Sequence, residues 1–286
     1  MAPEPHKRVV LVLGASGKVG RMLRSIWREK SPEDIEFIYV YRNNRNDQQG
    51  VVWQPRDPSD HLPKAHAIVA LWGATPRSGH AFSENADLAN VTLELAKALE
   101  VERVLHFSSS AVYLPSTKPL TETISDNAPN AYGQSKLDME QQITSWMSEN
   151  EVTFSNVILR LANVAGADAL FNNMKPGNTV TLDRFADGLG PRRSYIGSVD
   201  LAKVIEALIN DQSVLGPVNV AAPKATEMAD LVKAAGCRVE WTSAPDGAIA
   251  TVALDTRRLQ SILKIDEAAA EAQHLIDCAK KGEVWP

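Results

Sequence analysis

The sequence has little of several things that mark whole classes of protein. Cysteine occurs only twice in 286 residues, at Cys237 and Cys278. The two lie far apart and neither forms a Cys-x-x-Cys pattern, so neither a disulfide framework nor a zinc site is suggested, no metal is expected, and a reducing cytoplasm is the compartment the chain predicts. Long apolar runs are also missing. The first one, at residues 9–13, is too short for the core of a secretory signal, and no stretch approaches the length of a membrane span, so no membrane partner is expected. Charge of one sign is not in excess. With 30 basic against 35 acidic residues, a net charge of -5 and no long same-sign run, the chain carries no electrostatic footprint for nucleic acid. Internal repeats and low-complexity linkers are absent as well. What is present is 44% hydrophobic and 23% charged residues, enough for a large core in one globular unit or two closely packed lobes, with a small molecule as the expected partner.

Short β-branched runs alternate with helical patterns. Residues 8–13 (RVVLVL) end at Gly14 and lead into a helical pattern over 18–30. Further strand signatures fall at 35–41, 67–72, 103–107, 154–161 and 217–221, and helical patterns at 85–100, 131–148 and 199–210. Several strands are apolar on both faces, as a parallel sheet covered by helices on both sides requires. The chain is therefore expected to be an α/β protein: a Rossmann-type, doubly wound parallel sheet with a small C-terminal substrate-binding lobe. Residues 166–193, rich in Asn, Gly and Pro, read as loop, and the tail after Pro223 shows short helical patterns at 228–235 and 267–280. The expected division is 1–165 for the dinucleotide-binding domain, with 194–222 returning to it, and 166–193 plus 223–286 for the lobe.

The turn GASGKVG follows the first strand and opens the first helix. In that setting Gly14 permits the tight turn, Gly17 lets backbone approach a pyrophosphate, and Gly20 allows close packing of helix on strand. Dinucleotide binders that use NAD commonly place an acidic residue at the end of the second strand, where it accepts from a ribose hydroxyl. Here Arg42 stands in that place, and a guanidinium pairs instead with a 2′-phosphate, which tilts the choice toward NADP over NAD, with Asp47 near enough to reclaim the NAD role. The cofactor-binding set read this way is Gly14, Ser16, Gly17, Lys18, Val19, Gly20, Arg42, Gly73 and Lys136.

Tyr132 and Lys136 lie four apart in AYGQSK at the start of a helical pattern and so share one face. A tyrosine that works as acid or base near neutrality must have its pKa lowered by about 3 units from ~10, and a neighbouring ammonium supplies part of that. Ser108, Ser109 and Ser110 follow the strand RVLHF and offer hydroxyls to hold a substrate oxygen.

The glycine turn, FSSSAVY at 107–113 and AYGQSK at 131–136, in that order, resemble the extended short-chain dehydrogenase/reductase group, the NAD-dependent epimerase/dehydratase family that includes nucleotide-sugar enzymes. The resemblance extends to Asn90-Val91, LRLANVAG at 159–166, RRSYIGSVDLAKVI at 192–205, VNVAAP, and LDTRRLQSILKI near the end. It implies a catalytic Tyr132, a Lys136 that binds the nicotinamide ribose, and a substrate-polarising hydroxyl assigned to Ser109 by counting back from Val112-Tyr113. It further implies substrate contacts at Ser110, Asn163 and Arg193, with Arg192 competing for the last role, and a homodimer packed through the helices at 85–100 and 131–148. Dehydratases of the family carry an Asp-Glu pair where this chain has Ser110 and Ala111, so dehydration is disfavoured. Three readings of function stand: a nucleotide-sugar epimerase or keto-reductase, an NADPH-dependent reductase of a small non-nucleotide carbonyl, and a non-catalytic dinucleotide-binding sensor or scaffold. The short insert and tail, together with Arg42, lean toward net reduction, whereas Arg193 and Asn163 lean toward a nucleotide sugar.

Overall fold

A computed structural model describes residues 7–43, 49–76, 79–123 and 127–285. The first half contains β1 (Arg8–Leu13), α1 (Lys18–Glu29), β2 (Ile35–Tyr41), β3 (Gly50–Val52), β4 (Ala67–Ala70), α2 (Glu84–Ala98), β5 (Arg103–Ser109), a 3-10 turn (Ser110–Val112), α3 (Ala131–Glu149) and β6 (Ser155–Leu161). There follow β7 (Asn163–Val164), α4 (Ala169–Asn173), β8 (Thr179–Arg184), β9 (Arg192–Ile196), α5 (Ser198–Asn210) and β10 (Gly216–Val220). The chain ends with β11 (Ala225–Glu227), α6 (Met228–Ala234), β12 (Arg238–Ser243), β13 (Thr251–Val252), α7 (Arg257–Ile262), a second 3-10 turn (Glu267–Ala270) and α8 (Ala272–Lys281).

Seven strands form one wholly parallel sheet in the order β3-β2-β1-β4-β5-β6-β10. The alternation of side chains explains why its central strands are largely apolar. Val10 and Val12 of β1, Val69 of β4 and Leu105 and Phe107 of β5 face a core shared with α1 and α5. Leu11, Leu13, Ile68 and Val104 face the opposite core, which α2 and α3 cover. The central strands β1, β4 and β5 are thus buried on both faces, so period-2 alternation does not show in their sequence, whereas β2 exposes Glu36 and the edge strand β3 exposes Val52. The strand order reverses between β1 and β4, and the turns after these two strands flank the crevice at which open α/β sheets take ligands.

The stretch expected to be loop, 166–193, holds α4 and β8. Strand β8 buries only Val180 and Leu182 and pairs with β12, far along the chain, so its six residues carry a weak local signal. These elements, with β9 and α6, surround a separate core that includes Phe171, Tyr195, Leu231, Leu275 and Trp285. The helical pattern at 267–280 is interrupted at Glu271, which lies between the 3-10 turn and α8. Among the described residues no helix is long and apolar enough to cross a membrane.

Candidate active site

The turn after β1 is built from glycine for reasons of space. Gly14 has φ +82°, and a Cβ there would lie 2.6 Å from the Trp72 backbone nitrogen. At Gly20 a Cβ would come within 2.7 Å of both Ala15 Cα and the Gly14 carbonyl oxygen, so α1 is seated directly on the turn. Gly17 caps α1 without a side-chain hydrogen bond, and no acidic residue lies in the first turn. Ser16, Gly17 and Lys18 are exposed while Val19 is half-buried. The helix therefore presents unsatisfied N–H groups and the positive end of its dipole to the crevice, the donor set a pyrophosphate needs. Lys18 reaches across to donate to the Asn172 side chain in α4.

Across the crevice, the turn after β4 carries Gly73. A Cβ there would lie 2.6 Å from Asn85 Oδ1 and 3.1 Å from Lys136 Nζ, which makes Gly73 the opening against the lysine. Asn85 holds this turn to both helices: its Oδ1 accepts from the Ala74 backbone at 2.9 Å and its Nδ2 donates to Ser135 Oγ at 3.0 Å. Arg42 is exposed at the end of β2. It emerges on the same sheet edge as the glycine turn, since Val40 pairs with Leu13. Asp47 lies outside the described residues.

Ser109 ends β5, and its Oγ accepts from the Ala111 backbone N–H at 3.1 Å, capping the 3-10 turn. Helix α3 begins with the Asn130 side chain accepting from Gly133 N–H at 2.9 Å. Gly133 lies so close to the 3-10 turn that a Cβ would meet the Ala111 carbonyl oxygen at 2.0 Å. That approach places Tyr132 beside Ser109, whose hydroxyl pulls the phenol pKa down. The Tyr132 ring also packs 5.8 Å from the ring of Phe82.

Lys136, one turn on, is buried, and its Nζ donates to the Phe107 carbonyl oxygen at 2.9 Å. Burial pulls its pKa down to about 8, against the Glu140 carboxylate, which raises it. The structure corrects one expectation here. Burial raises the Tyr132 phenol, and the influence that lowers it is the neighbouring Ser109 hydroxyl, while the ammonium sits on β5 rather than on the phenol.

Beneath these residues runs a buried network that the sequence reading did not include. Glu140 accepts from Ser108 Oγ and from Arg160, whose Nη2 lies 2.6 Å away. Arg160 Nη1 also donates to Tyr113 Oη at 3.1 Å, and Tyr113 donates to Asn219 Oδ1 at 2.6 Å. Tyr132, Lys136 and Glu140 are spaced i, i+4, i+8, so successive i, i+4 steps along one helix face offered a signal for Glu140. Arg160 and Asn219 are joined to it only through the sheet.

The substrate-side candidates lie further out. Ser110 is half-buried at the start of the 3-10 turn. Asn163, in β7, pairs through the backbone ladder with Tyr195, whose hydroxyl donates to Asp168 Oδ2 at 2.8 Å. The Arg193 guanidinium is turned onto backbone carbonyl oxygens, those of Arg192 (2.7 Å), Ile249 (2.9 Å) and Ala250 (3.0 Å). Arg192 is exposed, 3.5 Å from Glu227.

A parallel sheet with this strand order, an uncapped helix after the first strand, and helices on both faces define a Rossmann-type dinucleotide-binding protein. Residues 10–221 match the NAD dependent epimerase/dehydratase family, and the chain belongs to it; its cofactor is a nicotinamide dinucleotide. Among curated proteins it is 27% identical over 177 residues to a UDP-glucose 4-epimerase of Rhizobium leguminosarum bv. trifolii, covering 56% of this chain and 53% of that one. It is 33% identical over 151 residues to a UDP-glucose 4-epimerase of Bacillus subtilis (strain 168), covering 42% and 44%. The matches span about half the length of these relatives. In fold it is similar to UDP-glucose 4-epimerase from Brucella ovis in complex with NAD, with a TM-score of 0.80 at 17% identity over 98% of this chain and 99% of that one.

Proposed function

We propose that the chain transfers a hydride at a sugar hydroxyl or keto carbon of a nucleotide sugar, as an epimerase or keto-reductase, with Tyr132, Ser109 and Lys136 as its working groups. The observation that carries this reading is the packing of Gly133 on the Ala111 carbonyl, which sets Tyr132 at the 3-10 turn capped by Ser109, one helical turn from a buried lysine at the mouth of the sheet. Gly14, Ser16, Gly17, Lys18, Val19 and Gly20 hold the cofactor pyrophosphate, Lys136 and Gly73 face the nicotinamide ribose, and Arg42 reads a 2′-phosphate. The bound dinucleotide supplies the hydride acceptor and donor. Tyr132 takes the proton of the reacting hydroxyl and returns it, while Ser109 donates to the same oxygen and fixes its position. Ser110 and Ala111 offer no carboxylate, so the acid and base that dehydration needs are not supplied there.

The substrate class rests on the likeness to nucleotide-sugar epimerases. Residues 1–165 with 194–222 form the cofactor domain in this reading, and 166–193 with 223–286 form the substrate lobe, β9 crossing the boundary. A homodimer through α2 and α3 and a cytoplasmic location belong to the same proposal. The shortness of the lobe no longer favours a non-nucleotide substrate, because the fold of the Brucella ovis enzyme is matched over 99% of its chain. A second reading, an NADPH-dependent reductase of a small carbonyl, is favoured by the Arg193 donors being turned onto the Ile249 and Ala250 carbonyls.

The test is to identify the dinucleotide released on denaturing the purified protein and to assay UDP-sugars beside simple aldehydes and ketones. Interconversion of UDP-sugars with no net change in cofactor redox state supports the epimerase. Steady NADPH consumption by a non-nucleotide carbonyl supports the reductase, and no turnover with either set sinks both.

A further inference from the structure

Where the first turn of α5 meets α8, three side chains of different chemistry come together. Asp200, in the first turn of α5, and His274 and Cys278, one turn apart on α8, place Oδ2, Nε2 and Sγ within 4.8 Å of one another. The His274 Nε2 to Asp200 Oδ2 distance is 2.6 Å, and Cys278 Sγ lies 3.4 Å from the same Nε2. The convergence on one ring nitrogen decides what the cluster is suited to. A nucleophilic Cys-His-Asp relay needs the carboxylate on one nitrogen and the thiol on the other. Here both address Nε2, and Cys278 is buried, so the arrangement focuses three donors on one point instead of activating a sulfur.

We propose that Asp200, His274 and Cys278 form a Zn2+ site with water from solvent in the fourth position. A thiolate, an imidazole and a carboxylate together suit zinc over the harder magnesium and calcium ions. Tetrahedral zinc with Zn–S of about 2.3 Å and Zn–N or Zn–O of about 2.0 Å sets its donors roughly 3.3–3.6 Å apart. The sulfur-to-nitrogen distance already meets that. The nitrogen-to-oxygen pair must open by under about 1 Å, and the His274 side chain, 37% exposed, has the freedom to turn. On binding, the thiol proton leaves to solvent, and the neutral imidazole carries its proton on Nδ1 so that Nε2 is free for the metal.

The surroundings hold the other two donors in place. Lys203 Nζ sits 3.3 Å from Asp200 Oδ1, which leaves Oδ2 for the metal. Ser198 Oγ donates to the Cys278 carbonyl oxygen at 2.7 Å and locks α8 against the start of α5. Gly197 makes the room, for a Cβ there would lie 2.6 Å from Cys278 Sγ. The consequence is mechanical. Helix α5 packs on the main sheet through Leu201, Val204 and Ile205, whereas α8 contributes Leu275, Ile276 and Ala279 to the other core. Zinc between them pins the C-terminal lobe to the cofactor domain. The donors come from segments 74 residues apart, which no local spacing reveals.

The full-length protein, dialysed against Zn2+ and analysed for metal, is expected to retain one equivalent per chain and to gain on the order of 5 °C in Tm at saturating metal. Co2+ in place of Zn2+ is expected to give thiolate-to-cobalt charge-transfer absorption and visible bands of tetrahedral intensity. Cys278→Ser removes the charge-transfer band while Cys237→Ser keeps it. His274→Ala, at a half-exposed position that spares the fold, lowers Zn2+ affinity by at least the ~10-fold that loss of a ligand's supporting partner costs. Substoichiometric zinc, undiminished binding by His274→Ala, or a band that disappears with Cys237 rather than Cys278 overturns the proposal.

Discussion

Gly133→Ala tests the packing that places the tyrosine. The added methyl would lie 2.0 Å from the Ala111 carbonyl oxygen, 2.8 Å from its carbonyl carbon and 3.1 Å from Ala128 Cβ. A carbon ordinarily approaches a carbonyl oxygen no closer than about 3.3 Å, so α3 or the 3-10 turn must withdraw by roughly 1 Å. Two effects oppose each other. Replacing glycine by alanine inside a helix stabilises by up to about 1 kcal/mol, and by less in the first turn. Overpacking costs about 1–3 kcal/mol. With backbone as the obstacle the overlap wins, for a net loss of ~1–2 kcal/mol. The same withdrawal separates Tyr132 from Ser109, and a misplacement of that size costs on the order of 100-fold in turnover. Urea unfolding of the cofactor-free protein reads the first effect and turnover of a UDP-sugar reads the second. A variant as stable as the parent and fully active would refute the claim that this contact positions the tyrosine.

Arg42→Ala is expected to weaken NADPH binding selectively over NADH in a fluorescence titration, and equal losses for both would show that Arg42 does not read the phosphate. Glu140→Gln leaves the Arg160 guanidinium buried beside a neutral partner, and a loss of about 3–5 kcal/mol in urea unfolding is expected. Adding Arg160→Met should cost much less than the sum of the single changes, so additive losses would contradict a coupled pair. Lys136 has its pKa lowered to about 8 when folded, against 10.5, so the unfolded chain binds the extra proton over that window and stability rises with pH between them. The rise approaches ~3 kcal/mol, and Lys136→Met should remove it. An identical pH slope in the variant would assign the effect to other groups.

How much could be read in advance depended on how local each signal was. The β1–turn–α1 unit is legible because one run of residues carries strand, glycines and helix start together. Tyr132 and Lys136 are legible because helical spacing puts them on one face. The Glu140–Arg160–Tyr113–Asn219 network joins α3, β6, the 3-10 turn and β10, and only the parallel pairing of distant strands brings those residues together. The lobe strands were missed for the same reason. Strand β7 is two residues long and β11 three, and their partners lie in β9 across long stretches of chain. The direction of the lysine was not legible, since burial aims its ammonium at the Phe107 carbonyl of β5, and no spacing rule carries that information.

The central claim is that Tyr132 moves the substrate proton, and Tyr132→Phe tests it most directly because only the hydroxyl is removed. With the parent's substrate and cofactor, kcat should fall by ~100-fold or more while dinucleotide affinity stays nearly unchanged. Turnover at the parent's rate in that variant would contradict the account.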